Sequence, residues 1–170
     1  MHIILDLDGT LVNCTEDENK KIIIDKRPYL EEFFDTIFEI CESVSIWSAG
    51  DKDYVHYVLD RIKPLNKKFL FIKTSDSCTK VYKYEYGYYI YLKKLGNIWK
   101  NKTLGLTKSN TIIIEDTPTN CIKNYGNSIY IPSYAGNKKD EYLLKLIKYI
   151  KWLNSQSNIR FIEKRFWYNE

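Results

Sequence analysis

No stretch of this chain is apolar for long enough to cross a bilayer. Nothing at its start reads as a secretory leader either, because Ile3 to Leu5 is short and acids follow at once. Cysteine is sparse. The four residues at 14, 41, 78 and 121 form no Cys-x-x-Cys pair, and neither histidine stands at zinc-ligand spacing. The expectation is free thiols in a reducing compartment, hence a soluble intracellular protein, cytoplasmic or nuclear, with no membrane partner. A dense basic stripe is also missing. The net charge of +4 suits an anionic substrate, and direct nucleic-acid binding is not indicated. Repeats, low-complexity tracts and linkers are absent, so the 170 residues read as one domain, 1–170, able to bury a core without staples. With 44% hydrophobic and 28% charged residues the composition is globular.

What is present is organised around Ile3-Ile4-Leu5-Asp6-Leu7-Asp8-Gly9-Thr10-Leu11-Val12. This reads as a buried strand that stops at Asp6 and breaks into a polar turn. Parallel α/β sheets carry their chemistry at the carboxyl ends of strands, which puts both acids at a sheet rim. Two carboxylates that close need a cation or a shared proton, and Mg²⁺ suits such oxygen ligands. Asp and Gly are equally ordinary turn residues, so this segment alone leaves a plain turn open.

Farther along, Asn13 to Lys21 reads as a polar loop and Ile22 to Ile24 as a short strand or hairpin arm. Leu30, Phe33, Phe34, Ile37 and Phe38 recur at helical spacing behind Pro28. Val44 to Trp47 is a second strand ending at Ser48-Ala49-Gly50, followed by a helix from about Lys52 to Ile62 that Pro64 stops. Strand, helix, strand, helix predicts a parallel α/β layer. Phe69 to Ile72 looks like a strand. Residues 65–92 form a small insertion in which Val81 to Tyr91, dense in tyrosine with Gly87 within it, suggests short strands and a turn. Alternate tyrosines 82, 84, 86 and 88 would line one face of an extended segment. That face suits either a half-exposed sheet or substrate recognition. Lys93 to Trp99 predicts a short helix, Asn110 to Asp116 a fully apolar strand ending in two acids, and Ser128 to Pro132 a further strand. Glu141 to Leu153 predicts a last amphipathic helix. The tail, about 154–170, has no assignment.

Three strand tips therefore carry polar groups: Asp6 with Asp8, Ser48, and Glu115 with Asp116. In one parallel sheet they can share a crevice. A second carboxylate would complete a metal site, Ser48 offers a hydroxyl, amides at the next helix start can receive phosphate oxygens, and Lys93 supplies a balancing cation. Each residue also has a purely structural use: Asp116 or Ser48 as helix caps, and one of Lys93 and Lys94 as solvated surface.

The stretch Asp6-Leu7-Asp8-Gly9-Thr10-Leu11-Val12 resembles the first motif of the haloacid dehalogenase (HAD) superfamily of phosphatases. Arg27-Pro28-x-Leu30 with Phe33-Phe34, Ile46-Trp47-Ser48-Ala49, Tyr54, Lys93-x-Leu95-x-x-Ile98-Trp99, Asn110 to Pro118 and Asp140-x-x-Leu143 narrow the likeness. Together they resemble the branch of protein serine phosphatases that act on the C-terminal domain of RNA polymerase II. The likeness implies a Rossmann-like α/β fold with a central, mainly parallel sheet, a small β-rich insertion and no large cap domain. It implies Asp6 as nucleophile through an aspartyl-phosphate, and Asp8 as acid and then base. It implies Mg²⁺ on Asp6, the Asp8 carbonyl and Asp116. Ser48, Ala49, Lys93 and Thr10 would hold the substrate phosphate, with Glu115 and Arg27 in support. Gly9 stands where this branch often has Glu, Glu115 where Asp is usual, and Lys63-Pro64 in place of Asp-Pro.

Only 42 positions separate Asp6 from Ser48 and 45 separate Ser48 from Lys93, too few for a separate cap. An open crevice fits a phosphorylated protein or peptide. A phosphatase of small-molecule or nucleic-acid esters, and a non-catalytic binding module on the same fold, are the alternatives.

Overall fold

A computed structural model describes residues 1–85 and 87–169. Its centre is β1 (His2–Leu5), in which Ile3, Ile4 and Leu5 are wholly buried. A strand covered on both faces has no solvent side to alternate with, which is why the run is continuously apolar. Its neighbours are β4 (Ser43–Trp47) and β8 (Thr111–Glu115), both parallel to it, with Leu5 opposite Ile46 on one side and Ile114 on the other. The two-residue β5 (Ile72–Lys73) and three-residue β9 (Ser128–Tyr130) complete the parallel order β5-β4-β1-β8-β9.

Alternation along the strands divides the core between the two sheet faces. Ile3, Leu5, Ile112 and Ile114 join the larger cluster with α1 (Leu30–Ile40), α2 (Lys52–Ile62) and α4 (Tyr142–Asn154). Ile4, Trp47 and Ile113 join the smaller one with Leu95 and Ile98 of α3 (Leu95–Ile98). Helix α1 starts two residues after Pro28, because Tyr29 takes a left-handed conformation at its N-cap. Helix α2 is capped by Asp51, whose carboxylate accepts from the Tyr54 amide at 2.9 Å.

Four local expectations need correction. Of the stretch read as a loop, residues 13–16 belong to β2 (Val12–Glu16), antiparallel to β3 (Ile22–Lys26). Phe69 does not extend β5, because its ring packs on Phe34 and Phe38, with centroids 6.1 and 5.5 Å away. Inside the stretch read as an insertion, β5 joins the central sheet, while β6 (Thr79–Lys83) and β7 (Tyr88–Leu92) make a separate hairpin. The tyrosines accordingly share no single extended face. The chain reverses between the two strands, Tyr82 pairs with Tyr89, and the two rings stack edge-on at 4.9 Å. Tyr86 lies outside the described residues.

The tail folds back on the body. Lys164 donates to the carbonyls of Gly126 and Ile162 at 3.0 and 2.7 Å, and the Trp167 indole donates to the Tyr130 carbonyl at 2.8 Å. The Trp167 ring is buried against Tyr142 and Tyr149, which contributes roughly 3 kcal/mol. All four cysteines are free, and no helix among the described residues is long and apolar enough to cross a membrane.

Candidate active site

Because β4, β1 and β8 lie side by side and run the same way, their carboxyl tips place Ser48, Asp6 and the Glu115–Asp116 pair at one rim. Lys93 arrives from the end of β7. Its amide donates to the Asn120 carbonyl at 2.8 Å, and its own carbonyl accepts from Asn124 at 2.6 Å. With 0% of its surface exposed, the ammonium bridges two buried carboxylates: Asp6 Oδ1 and, at 2.6 Å, Glu115 Oε2. Lys94, the neighbour indistinguishable by sequence, stays half-buried ahead of α3.

Asp6 is held from its other side by Thr10, whose hydroxyl donates to Oδ2 at 3.1 Å. Thr10 is fully buried in that role. The turn carrying Thr10 closes on the Leu7 carbonyl, which accepts from the amides of Leu11 and Thr10. Arg27 fastens it from below. Its guanidinium meets Asp140 through two bonds of 2.9 Å and donates to the carbonyls of Thr10 at 3.0 Å and Pro132 at 2.8 Å. A buried fork of this kind fixes direction as well as charge.

Asp8 points elsewhere. Its carboxylate accepts from the Tyr54 hydroxyl, reaching across from the first turn of α2. Burial, and then the bond to Asp8, raise the Tyr54 hydroxyl well above the ordinary tyrosine range and keep it a donor. Ser48 is buried, with its hydroxyl oxygen accepting from the Gly50 amide at 3.0 Å and its own amide committed to the Lys73 carbonyl. Ala49 is half-buried at the same tip. The expected amides at the start of α2 are partly used already, since Asp51 takes that of Tyr54.

Gly9 has a specific reason to be glycine. Its φ is +73°, and a methyl group there would overlap the Asp116 carboxylate and come within 2.7 Å of Ser133 Oγ. Gly9→Ala should therefore displace Asp116. We expect kcat to fall by about 10²-fold, the scale of a misplacement near 1 Å. Steady-state kinetics checks this, and a kcat within threefold of the parent would contradict it.

Asp6, Glu115 and Asp116 can each offer one oxygen within 4.8 Å of the others. Every donor is a hard oxygen, and three acids crowded around one ammonium are relieved by a further cation, so the set fits a divalent ion such as Mg²⁺. The Asp8 carboxylate lies outside this group. Burial raises both Asp6 and Glu115; neighbouring carboxylates add to the rise and Lys93 opposes it, leaving Glu115 at about 8. Burial works against the charge on Lys93, but its two partners outweigh that and raise it.

An acid whose folded pKa exceeds its unfolded value binds more protons when folded, so stability declines as pH rises between the two. For Glu115 that window runs from 4.5 to about 8. Metal-free protein should lose on the order of 5 °C in Tm between pH 5.5 and 8, and saturating Mg²⁺ should flatten the slope. Melting curves in chelator and in Mg²⁺, with Glu115→Gln as control, test this. A metal-free Tm that climbs with pH would refute it.

Comparison with known proteins gives the arrangement a place. The model of the NLI interacting factor-like phosphatase family matches residues 1–160. The chain belongs to that family. Among curated members of related sequence, CTD small phosphatase-like protein 2 of Dictyostelium discoideum is 28% identical over 93% of this chain and 28% of its own length. The human ubiquitin-like domain-containing CTD phosphatase 1 is 27% identical over 97% of this chain and 53% of its own. The chain thus spans between about a quarter and a half of these relatives. A solved structure of Fcp1, an essential RNA polymerase II CTD phosphatase, superposes on 94% of this chain and 68% of that one with a TM-score of 0.72 at 14% identity. Hydrolases of the HAD superfamily share the fold.

Sequence reading of this NLI interacting factor-like chain found the acids, Ser48, Lys93 and Arg27. It gave no role to Asp140 and none to Tyr54, although both stood among its landmarks. Asp140 lies 113 positions from the arginine it holds, and Tyr54 lies 46 from Asp8.

Proposed function

We propose that this chain is a Mg²⁺-dependent phosphatase of phosphoserine and phosphothreonine in proteins, working through an aspartyl-phosphate on Asp6. The observation that carries the proposal is Asp6 at a strand tip, oriented by Lys93 and Thr10 and flanked by Asp116. A carboxylate has about four lone-pair sites, so hydrogen bonds to both oxygens still leave a lone pair to attack phosphorus.

In the first step an Asp6 oxygen bonds to phosphorus while the bond to the serine oxygen breaks. Asp8 gives that oxygen a proton. In the second, water attacks the aspartyl-phosphate, Asp8 takes the water's proton, and Asp6 is regenerated with release of phosphate. Lys93 holds Asp6 in line and lowers the repulsion between it and an incoming dianion. The Ser48 hydroxyl and the Ala49 amide receive phosphate oxygens. Asp6, Asp116 and the Asp8 carbonyl would hold Mg²⁺, which when bound neutralises charge on the phosphoryl group. Tyr54 holds Asp8 in its place between the two steps.

Between β1 and β4 the described chain has only the β2–β3 hairpin and α1. Between β4 and β8 it has α2, β5, the tyrosine hairpin and α3. An uncovered rim suits a phosphate presented on a chain.

The test is phosphate release from phosphoserine peptides and from p-nitrophenyl phosphate, with Mg²⁺ and with chelator. Chelator-sensitive turnover with a higher kcat/KM on peptides is expected. A preference for the small ester would reassign the substrate, and no turnover of either would leave a binding module.

A further inference from the structure

At the other end of the sheet from the acids, folding gathers cations that the sequence keeps apart. Lys100, Lys102, Lys108, Lys123 and Arg160 line an open groove of about 620 Å³ with Trp99 on its wall. A second hollow of about 500 Å³ shares Trp99, Lys102, Lys108 and Arg160 with the first and adds Phe161, making one trough. Among the described residues, neither is lined by an Asp or a Glu. From position 86 to 114 the chain has no acid at all, and Glu115 and Asp116 are the only two before Asp140.

The trough is built on the amino ends of β8 and β9. Asn127, immediately ahead of β9, donates to the Lys108 and Thr111 carbonyls at 2.7 Å and accepts from the Arg160 guanidinium. From Thr111 to Glu115 the strand rise carries the chain about 13 Å away from the trough, so an occupant here lies at the opposite end of β8 from the acids. The four lysines are exposed, and Phe161 is 84% exposed, an aromatic ring facing water amid positive charge. The Lys108 ammonium stands 6.0 Å from the Trp99 ring centre.

We propose that this trough binds single-stranded nucleic acid. Its lysines follow the phosphate backbone, and its aromatic rings receive unpaired bases. Charge complementarity demands a polyanion, and two details select among polyanions. Pockets for phosphorylated side chains are built on clustered, bidentate arginines, whereas this trough has four lysines and one arginine already bonded to Asn127. Point charges set around an exposed ring, Phe161, beside the half-buried Trp99, match the pattern of single-strand grooves, where rings stack on bases that a duplex keeps covered. Composition gave no sign of it, because the five cations are spread between positions 100 and 160.

The proposal is tested by fluorescence anisotropy with the full chain and a labelled mixed-sequence 12-mer RNA at 50 to 200 mM salt. We expect micromolar binding with a log–log salt slope of about −2 to −3, as for three or four phosphates neutralised. Lys102→Glu with Lys108→Glu should weaken binding at least about tenfold and flatten the slope by about 1.4. Phe161→Ala should weaken it about tenfold with the slope unchanged. Turnover of p-nitrophenyl phosphate should be the same in all of them, which verifies folding, and the binding readout does not depend on hydrolysis. No saturable binding at 50 mM salt would overturn the proposal, as would unchanged affinity in either variant. So would tighter binding to a 12-bp duplex or to a multiply phosphorylated peptide than to the single strand.

Discussion

Asp6→Asn is expected to abolish turnover and yet make the metal-free protein more resistant to heat. The amide keeps the size of the carboxylate and can still meet Thr10 and Lys93, so the strand tip should hold its shape. It cannot form the acyl-phosphate bond. Loss of the nucleophile should lower kcat by about 10⁴-fold or more. The stability gain comes from charge. Lys93 now divides one ammonium between two buried acids; after the exchange it faces Glu115 alone, a one-to-one pair. A gain near 1 kcal/mol would raise Tm by roughly 2–4 °C. Phosphate-release assays and melting in chelator read both halves. Turnover within tenfold of the parent would remove Asp6 from its assigned role, and a lower Tm would show that its charge is needed by the fold.

Lys93→Met should be the most destabilising single change at the site. It leaves Asp6 and Glu115 facing each other in the protein interior with no cation between them. Breaking a buried ion pair from one side costs about 3–5 kcal/mol, which corresponds to a Tm lower by roughly 6–20 °C. Activity should vanish with it, since the acid that attacks loses its orientation. Adding Glu115→Gln removes one of the stranded charges, and much of the lost Tm should return without any return of turnover. A calorimetric series of the parent, the single and the double variant distinguishes this from simple loss of packing. If the double variant melts no higher than Lys93→Met, the charge account is wrong.

These expectations rest on groups whose legibility in the sequence was uneven. The strands β1 and β8 declare themselves by three consecutive apolar residues buried on both faces, β4 by Val44, Ile46 and Trp47, and α1, α2 and α4 because their buried positions recur every three or four residues. The β2 strand was missed for the complementary reason. Asn13, Thr15 and Glu16 are polar and face partly outward, and ladder bonds between backbones ask nothing of the side chains. The short strands and turn of the tyrosine run were legible from Gly87, but the shared face was not, because tyrosines on opposite sides of the reversal do not continue one alternation. The acids could be found as strand ends. The pairings that orient them, Arg27 with Asp140 and Tyr54 with Asp8, are properties of the folded topology and leave no local trace.

The margins of the central sheet have a consequence for how any extended chain can be gripped. β5 and β9 are the outermost strands and are two and three residues long. A foreign strand laid against either would find only a stub of a ladder, too short to zip onto. Copies of this sheet are thereby discouraged from polymerising edge to edge. If the proposed phosphopeptide is the substrate, its side chains and phosphate must supply the recognition, since main-chain augmentation of the central sheet offers it little.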